Sequence, residues 1–165
     1  MLGIDPGLTR CGFGLIESGP GETVRALRAG VFETSPRETP ESRLISLARD
    51  LTELLDEVRP DVVVVEKVFF QKNARTAMPV TQASGIAVGL AGLRGAIVRQ
   101  FTSQEMKLAV CGYGAASKEQ IQEMVTLLLH LTEAPRPADA ADALGLALTY
   151  LRVAPRERRL AEAQP

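Results

Sequence analysis

The stretch Asp61-Val62-Val63-Val64-Val65-Glu66, which follows Pro60, decides the fold. Four successive β-branched residues, without the alternation of a half-exposed strand, are typical of a strand that is covered on both faces. We therefore expect this strand to lie centrally in a sheet. Glu66 then ends the strand beside an apolar interior, which is an unusual place for a charge.

Apolar runs before this strand predict three further strands, which include Gly3 and Ile4, residues 12–16 and residues 24–32. Because the links between them are short, an antiparallel meander is favoured. Leucines at spacings of three and four then predict an amphipathic helix over residues 44–58, which is entered through Pro40.

The second half of the chain predicts mainly helices. A helix of small residues is expected over about residues 80–93, and a strand over residues 95–101. Capping-box sequences predict helices that begin near residues 103 and 118. Pro135 and Pro137 open a last helix, and residues 154–165 are expected to be a flexible polar tail.

Composition excludes several classes of protein. A length of 165 residues predicts one compact domain, and 45% apolar with 24% charged residues argues against disorder. The formal net charge is −1, so a nucleic-acid partner requires a local basic patch. Cys11 and Cys111 lie too far apart in sequence to suggest a thiolate metal site. Because the start lacks the pattern of a signal peptide, we expect a cytoplasmic protein.

Four acidic residues stand out by position. Asp5 ends the first strand, and Pro6 stops that strand from continuing. If the first strand neighbours the four-valine strand, Asp5 and Glu66 meet where ionised carboxylates are costly unless balanced. Asp139 and Asp142 are three residues apart among alanines, so they share one helix face.

Hard oxygen donors of this kind suit Mg²⁺, with Mn²⁺ as a plausible substitute. Two such ions, about 4 Å apart, clamp the attacking and leaving oxygens of an in-line phosphoryl displacement. This chemistry fits phosphodiester hydrolysis. Each acid also has an ordinary interpretation, such as a helix-dipole partner for Asp139 or an ion pair between Glu66 and Lys67; the conjunction of all four favours the metal site.

The segment after Glu66 is basic and aromatic. Lys67, Lys72 and Arg75 supply three positive charges and no negative one, around the adjacent rings of Phe69 and Phe70. Such a loop can hold backbone phosphate while a ring stacks on an unpaired base. In the plainer interpretation, one ring is in the core and the lysines are solvated.

Gly85 and Gly89 lie four residues apart on one face of the predicted small-residue helix. Glycines at this spacing let another backbone approach closely. Close packing on the protein's own sheet and an interface between two copies of the chain both remain open.

Asp5-Pro6-Gly7, Glu66-x-x-Phe69 and residues 138–143 together are similar to the motifs of RuvC-type Holliday-junction resolvases. The resemblance runs from residue 3 to about residue 151. It implies an α/β, ribonuclease-H-like fold, with a five-stranded mixed sheet flanked by helices in a nuclease domain over residues 1–153. It also implies a homodimer with two Mg²⁺ ions per active site that nicks four-way DNA symmetrically, and RuvA and RuvB as partners.

The resemblance also implies roles for individual residues. Phe69 would stack at the junction centre, Lys107 and Lys118 would contact DNA and assist catalysis, and Gly85 and Gly89 would lie in the dimer interface. The catalytic metal ligands would be Asp5, Glu66, Asp139 and Asp142. Three other functions are weighed beside this one: a ribosomal-RNA-processing nuclease, an actin-like ATPase, and a non-catalytic junction-binding dimer.

Overall fold

A computed structural model of the chain describes residues 1–19, 21, 23–68 and 74–162; for residues 74–77 and 155–162 it describes the backbone alone. The described residues form one five-stranded mixed sheet of order β3-β2-β1-β4-β5. The strands are β1 (Leu2–Asp5), β2 (Arg10–Ser18), β3 (Val24–Glu33), β4 (Val62–Glu66) and β5 (Ile97–Phe101). The helices are α1 (Pro40–Val58), α2 (Ala74–Leu93), α3 (Ser103–Cys111), α4 (Lys118–Leu128) and α5 (Ala138–Glu162).

The sheet topology confirms the predicted class and arrangement. β1, β2 and β3 form the antiparallel meander, and β1 also pairs in parallel with β4, with Ile4 opposite Val65. All four valines of β4 are buried. Val63 and Val65 face α1 and α2, whereas Val62 and Val64 face α3, α4 and α5. The unbroken run of valines therefore reflects a strand with a hydrophobic layer on each face.

Helix boundaries follow local capping chemistry where the sequence supplies it. Thr102 and Ser117 each accept a hydrogen bond from the backbone N–H three residues ahead, and Glu105 and Gln120 close the two capping boxes. Thr39 caps α1 in the same way, and Pro40 occupies its first position. The helices therefore begin at the predicted residues, because the cap side chains satisfy otherwise unpaired backbone donors.

Two boundaries differ from the sequence-based expectation. α2 begins at Ala74, before the predicted start near residue 80, and contains Pro79. Pro79 falls in the second turn of this helix. α5 continues to Glu162 through a segment that was expected to be a flexible tail. The segment is rich in alanine, arginine, leucine and glutamate, which are good helix formers, although it also contains Pro155. No helix of the described residues has the length and apolarity needed to cross a membrane.

Candidate active site

Glycines on the sheet let α5 approach the backbones of β1 and β2. A Cβ atom added to Gly3 would lie 1.9 Å from the carbonyl oxygen of Ala143, and one on Gly12 would lie 2.1 Å from that of Asp139. At Gly14 an added Cβ would lie 2.7 Å from Leu144 Cγ. Contacts of this kind leave no room for any side chain, so the helix rests directly on the strands. This contact sets the position of the acidic residues in the first turns of α5.

The parallel strands β1 and β4 end at the same edge of the sheet, with Asp5 and Glu66 as their last residues. Their carboxyl groups act on each other electrostatically. Burial, followed by the charges of Glu66 and Asp142, raises the pKa of Asp5 from 3.8 to about 8. The sheet therefore holds an acidic pair at a place that stabilises the protonated form of Asp5 unless a cation is present.

Asp139 and Asp142 complete the acidic cluster from α5. The pKa of Asp142 is raised to about 6, mainly by burial, with a further rise from Glu66 and Asp139 and an opposing effect from the positive charge of Lys118. Asp139 also contributes to the raised pKa of Asp5. Carboxylates from β1, β4 and α5 thus act on one another electrostatically, as the sequence predicts for the four acids.

Of the basic side chains beside the cluster, three act on the aspartates of α5. Lys118 Nζ lies 4.0 Å from Asp142 Oδ2, and the charge of Lys107 also lowers the pKa of Asp142. The third is Arg10, whose Nη2 lies 3.0 Å from Asp139 Oδ2. Sequence reasoning identified both lysines and missed Arg10. The signal that could have identified Arg10 was the tight link from β1 to β2, which brings the first residue of β2 close to Asp5 at the end of β1.

The donor set fits hard divalent cations in chemistry. Asp5 carries a buried carboxyl group, and the described neighbours that shift its pKa are three acidic residues, which also offer only oxygen donors. Within the described part of the chain, no three histidine, cysteine, aspartate or glutamate side chains are already gathered closely enough to hold an ion. The carboxylates converge on one region, but they would have to reorient to share a ligand.

The basic loop lies largely outside the described residues. This applies to Phe69 and Lys72, and the side chain of Arg75 is not described either. Lys67 is exposed directly after Glu66, and its backbone N–H donates to the carbonyl of Phe101 over 2.8 Å. The predicted DNA contacts of this loop therefore stay predictions.

The outer face of α2 does not pack on the sheet. Gly85 and Gly89 are exposed, and no heavy atom of the described residues lies within 4 Å of a Cβ added to either one. The interpretation in which these glycines pack on the protein's own sheet is wrong, because alanines occupy the inward face of the helix. These buried alanines are Ala83, Ala87 and Ala91.

Comparisons with known proteins identify the family of this chain. The family model described as crossover junction endodeoxyribonuclease RuvC matches residues 1–150. A protein of that name from a Parafrankia species is 48% identical over 100% of this chain and 93% of its own.

Solved structures give the same result. A structure of Thermus thermophilus RuvC has 36% identity and a TM-score of 0.82, and it covers 95% of this chain and 97% of its own. A T. thermophilus RuvC solved in complex with a Holliday junction substrate has 36% identity and a TM-score of 0.87, over 94% of each chain. The chain therefore belongs to the RuvC family of crossover junction endodeoxyribonucleases.

Proposed function

We propose that this RuvC-family resolvase cuts four-way DNA junctions by paired symmetric nicks in strands of like polarity. The observation that carries the proposal is the excess of buried carboxylate at the ends of β1 and β4, which raises the pKa values of Asp5 and Asp142. Such a centre has the charge and donor chemistry to bind cations next to a phosphate. The similar T. thermophilus protein, solved with a Holliday junction substrate, supports the choice of DNA substrate.

Asp5, Glu66, Asp139 and Asp142 would hold two Mg²⁺ ions, with Mn²⁺ as a substitute. When bound, such ions supply Lewis-acid activation and charge neutralisation for in-line hydrolysis of a phosphodiester, which leaves a 5′-phosphate and a 3′-hydroxyl. The four carboxylates would contribute to metal binding because β1, β4 and α5 bring them to one region. Because the sheet and α5 are locked together through glycine contacts, their backbones fix this convergence.

Lys107 and Lys118 would hold the scissile phosphate. Both act electrostatically on Asp142, from the neighbouring helices α3 and α4. Lys118 lies in the first turn of α4 with an exposed side chain, so its ammonium group can reach an incoming backbone while its stem stays beside the acids. Positive charge fixed at this position stabilises the charge that develops on the phosphate during hydrolysis.

The loop after β4 would bind the junction itself. Lys67, Lys72 and Arg75 would contact backbone phosphate, and Phe69 would stack on an unpaired base at the junction centre. Lys67 directly follows the acidic Glu66, so DNA bound by this loop lies beside the acidic cluster.

Two active sites are needed for paired nicks, and the outer face of α2 offers a surface for a homodimer. Gly85 and Gly89 lie on this face with open space above them, and Met78 and Leu93, spaced to fall on the same side, are 61% and 86% exposed. A second copy that packs here through a twofold axis would cover the apolar side chains. RuvA and RuvB are proposed as branch-migration partners, and the cytoplasm as the location, from the family resemblance.

The test is cleavage of a synthetic four-way junction with each strand end-labelled in turn. We expect paired products at symmetric positions in two strands of like polarity when Mg²⁺ is added, and none with a chelator. Linear duplex DNA and a structured RNA of similar length serve as substrate controls. Equal cleavage of the linear duplex, or cutting confined to the RNA, would refute the junction assignment.

A further inference from the structure

Arg10 lies between two carboxylates, one inside the acidic cluster and one outside it. Its Nη2 is 3.0 Å from Asp139 Oδ2, and its Nε is 3.8 Å from Glu33 Oε1. The Asp139 side chain is 23% exposed, whereas that of Glu33 is 68% exposed. The guanidinium group therefore has a close partner at the site and a second, solvent-facing partner within short reach.

The backbone fixes this arrangement. Arg10 is the first residue of β2 and lies directly opposite Glu33, the last residue of the edge strand β3. Asp139 is held against the same strand, because its backbone rests on Gly12. Arg10 can therefore change its partner from Asp139 to Glu33 without a rearrangement of the main chain.

We propose that Arg10 is a positioning residue that competes with divalent cations for Asp139 and moves to Glu33 when a cation takes that carboxylate. The inference rests on the proposed function, since it assumes that Asp139 is a metal ligand. An oxygen lone pair directed at a guanidinium N–H is not available to a metal ion, so the Arg10 contact lowers the affinity of the empty centre for cations. Glu33 reduces this penalty, because the displaced guanidinium can tighten the 3.8 Å ion pair that it already forms with this carboxylate.

The experiment measures binding of Mn²⁺ to the DNA-free protein by the loss of the electron paramagnetic resonance signal of free Mn²⁺. Arg10→Gln is expected to lower the dissociation constant about twofold to fivefold, which is the range for a partly exposed ion pair. Glu33→Gln is expected to raise it by a similar factor, because Arg10 then loses its alternative partner.

A double-mutant cycle separates this exchange from a general change of charge. If Glu33 acts through Arg10, Glu33→Gln has no further effect in the Arg10→Gln background. If both residues act only through their charges, the two effects add, and the proposal is overturned. Unchanged Mn²⁺ binding in Arg10→Gln also overturns it.

The matched control is the equivalent pair at the other end of the same two strands. Glu17 and Arg25 lie opposite each other in the β2–β3 register, with Arg25 Nη2 2.7 Å from Glu17 Oε2. Arg25→Gln should leave Mn²⁺ binding unchanged. If the wild-type chain itself binds no Mn²⁺, the proposed function fails; if it binds and the cycle is additive, the function stands and only the role of Arg10 is lost.

Discussion

Acidic residues lie near both ends of β4, but their pKa values are shifted in opposite directions. At its amino end, Asp56 forms a 2.6 Å ion pair with Arg94, beside a cavity of about 360 Å³ that Arg59 and Asp61 also line. The hydrogen bond from Arg94 holds the pKa of Asp56 below its ordinary value. At the carboxyl end, burial and neighbouring carboxylates raise the pKa values of Asp5 and Asp142.

This difference shows which feature locates the chemistry. Both ends have a cavity, of about 360 Å³ at the amino end and about 430 Å³ beside Glu66 at the carboxyl end. At the amino end, the acids and arginines that line the cavity balance each other's charge. At the carboxyl end, Asp5 and Asp142 are largely buried, and the neighbouring carboxylates raise their pKa values. Buried carboxylates that perturb one another therefore distinguish the two ends better than cavity volume does.

The largest expected difference between the two ends is in cleavage. Asp142→Asn should slow junction cutting by about 10²-fold or more, because it removes a charged ligand from the centre while keeping its shape. Asp56→Asn, at the other end of the sheet, should cut at the wild-type rate. Cleavage rates on a labelled four-way junction, with binding checked by gel shift, measure both. Wild-type cleavage by Asp142→Asn would contradict the assignment of the site.

A second contrast concerns the glycines that support the site. Gly12→Ala should destabilise the protein by about 3 kcal/mol or more, because its Cβ would meet the backbone of Asp139 at 2.1 Å. Gly92→Ala, on the outer side of α2, has open space and should be neutral or slightly stabilising. Urea unfolding of both variants checks this. Equal stability of the two would show that α5 does not rest on β2 as described.

A third contrast is the sign of the pH dependence of stability. Because the pKa of Asp5 is raised in the folded state, its protonation stabilises the metal-free protein at low pH, and this contribution is lost as the pH rises from about 4 to about 8. Asp5→Asn should therefore raise the free energy of unfolding at pH 8 by about 1–3 kcal/mol and change it little at pH 4.

Asp56 provides the opposite case. Its pKa is lowered in the folded state, so its ionised form stabilises the protein above its unfolded pKa, and that stabilisation is lost as the pH falls. Asp56→Asn should slightly lower the free energy of unfolding at pH 8 and leave it unchanged once the pH is low enough to protonate Asp56. Denaturant unfolding without divalent cations, at pH 4 and pH 8, tests both variants; pH dependences of the same sign would argue against the contrast.

The sequence predicted those parts of the molecule that rest on local chemistry. The four valines of β4 predicted a doubly covered strand, and the capping boxes at Thr102 and Ser117 predicted where two helices begin. Asp5 and Glu66 were expected to meet only if β1 and β4 are neighbours, and the structure pairs these strands in parallel. The two acids therefore lie at the same end of the sheet.

Features that depend on contacts between distant segments were not predicted. Gly12 and Gly14 resemble ordinary strand glycines in the sequence, and only the position of α5 explains them. Arg10 was missed for the same reason, since its partner Asp139 lies on a helix far away in the chain. The early start of α2 was missed because a proline such as Pro79 usually ends a helical pattern, whereas here it lies inside the helix.

The most direct test of the account is the location of bound metal in a crystal soaked with Mn²⁺, found from anomalous scattering. The account predicts Mn²⁺ among Asp5, Glu66, Asp139 and Asp142, and no peak beside Asp56 and Asp61. A peak at the amino end of β4, or full occupancy elsewhere with the four acids empty, would contradict it.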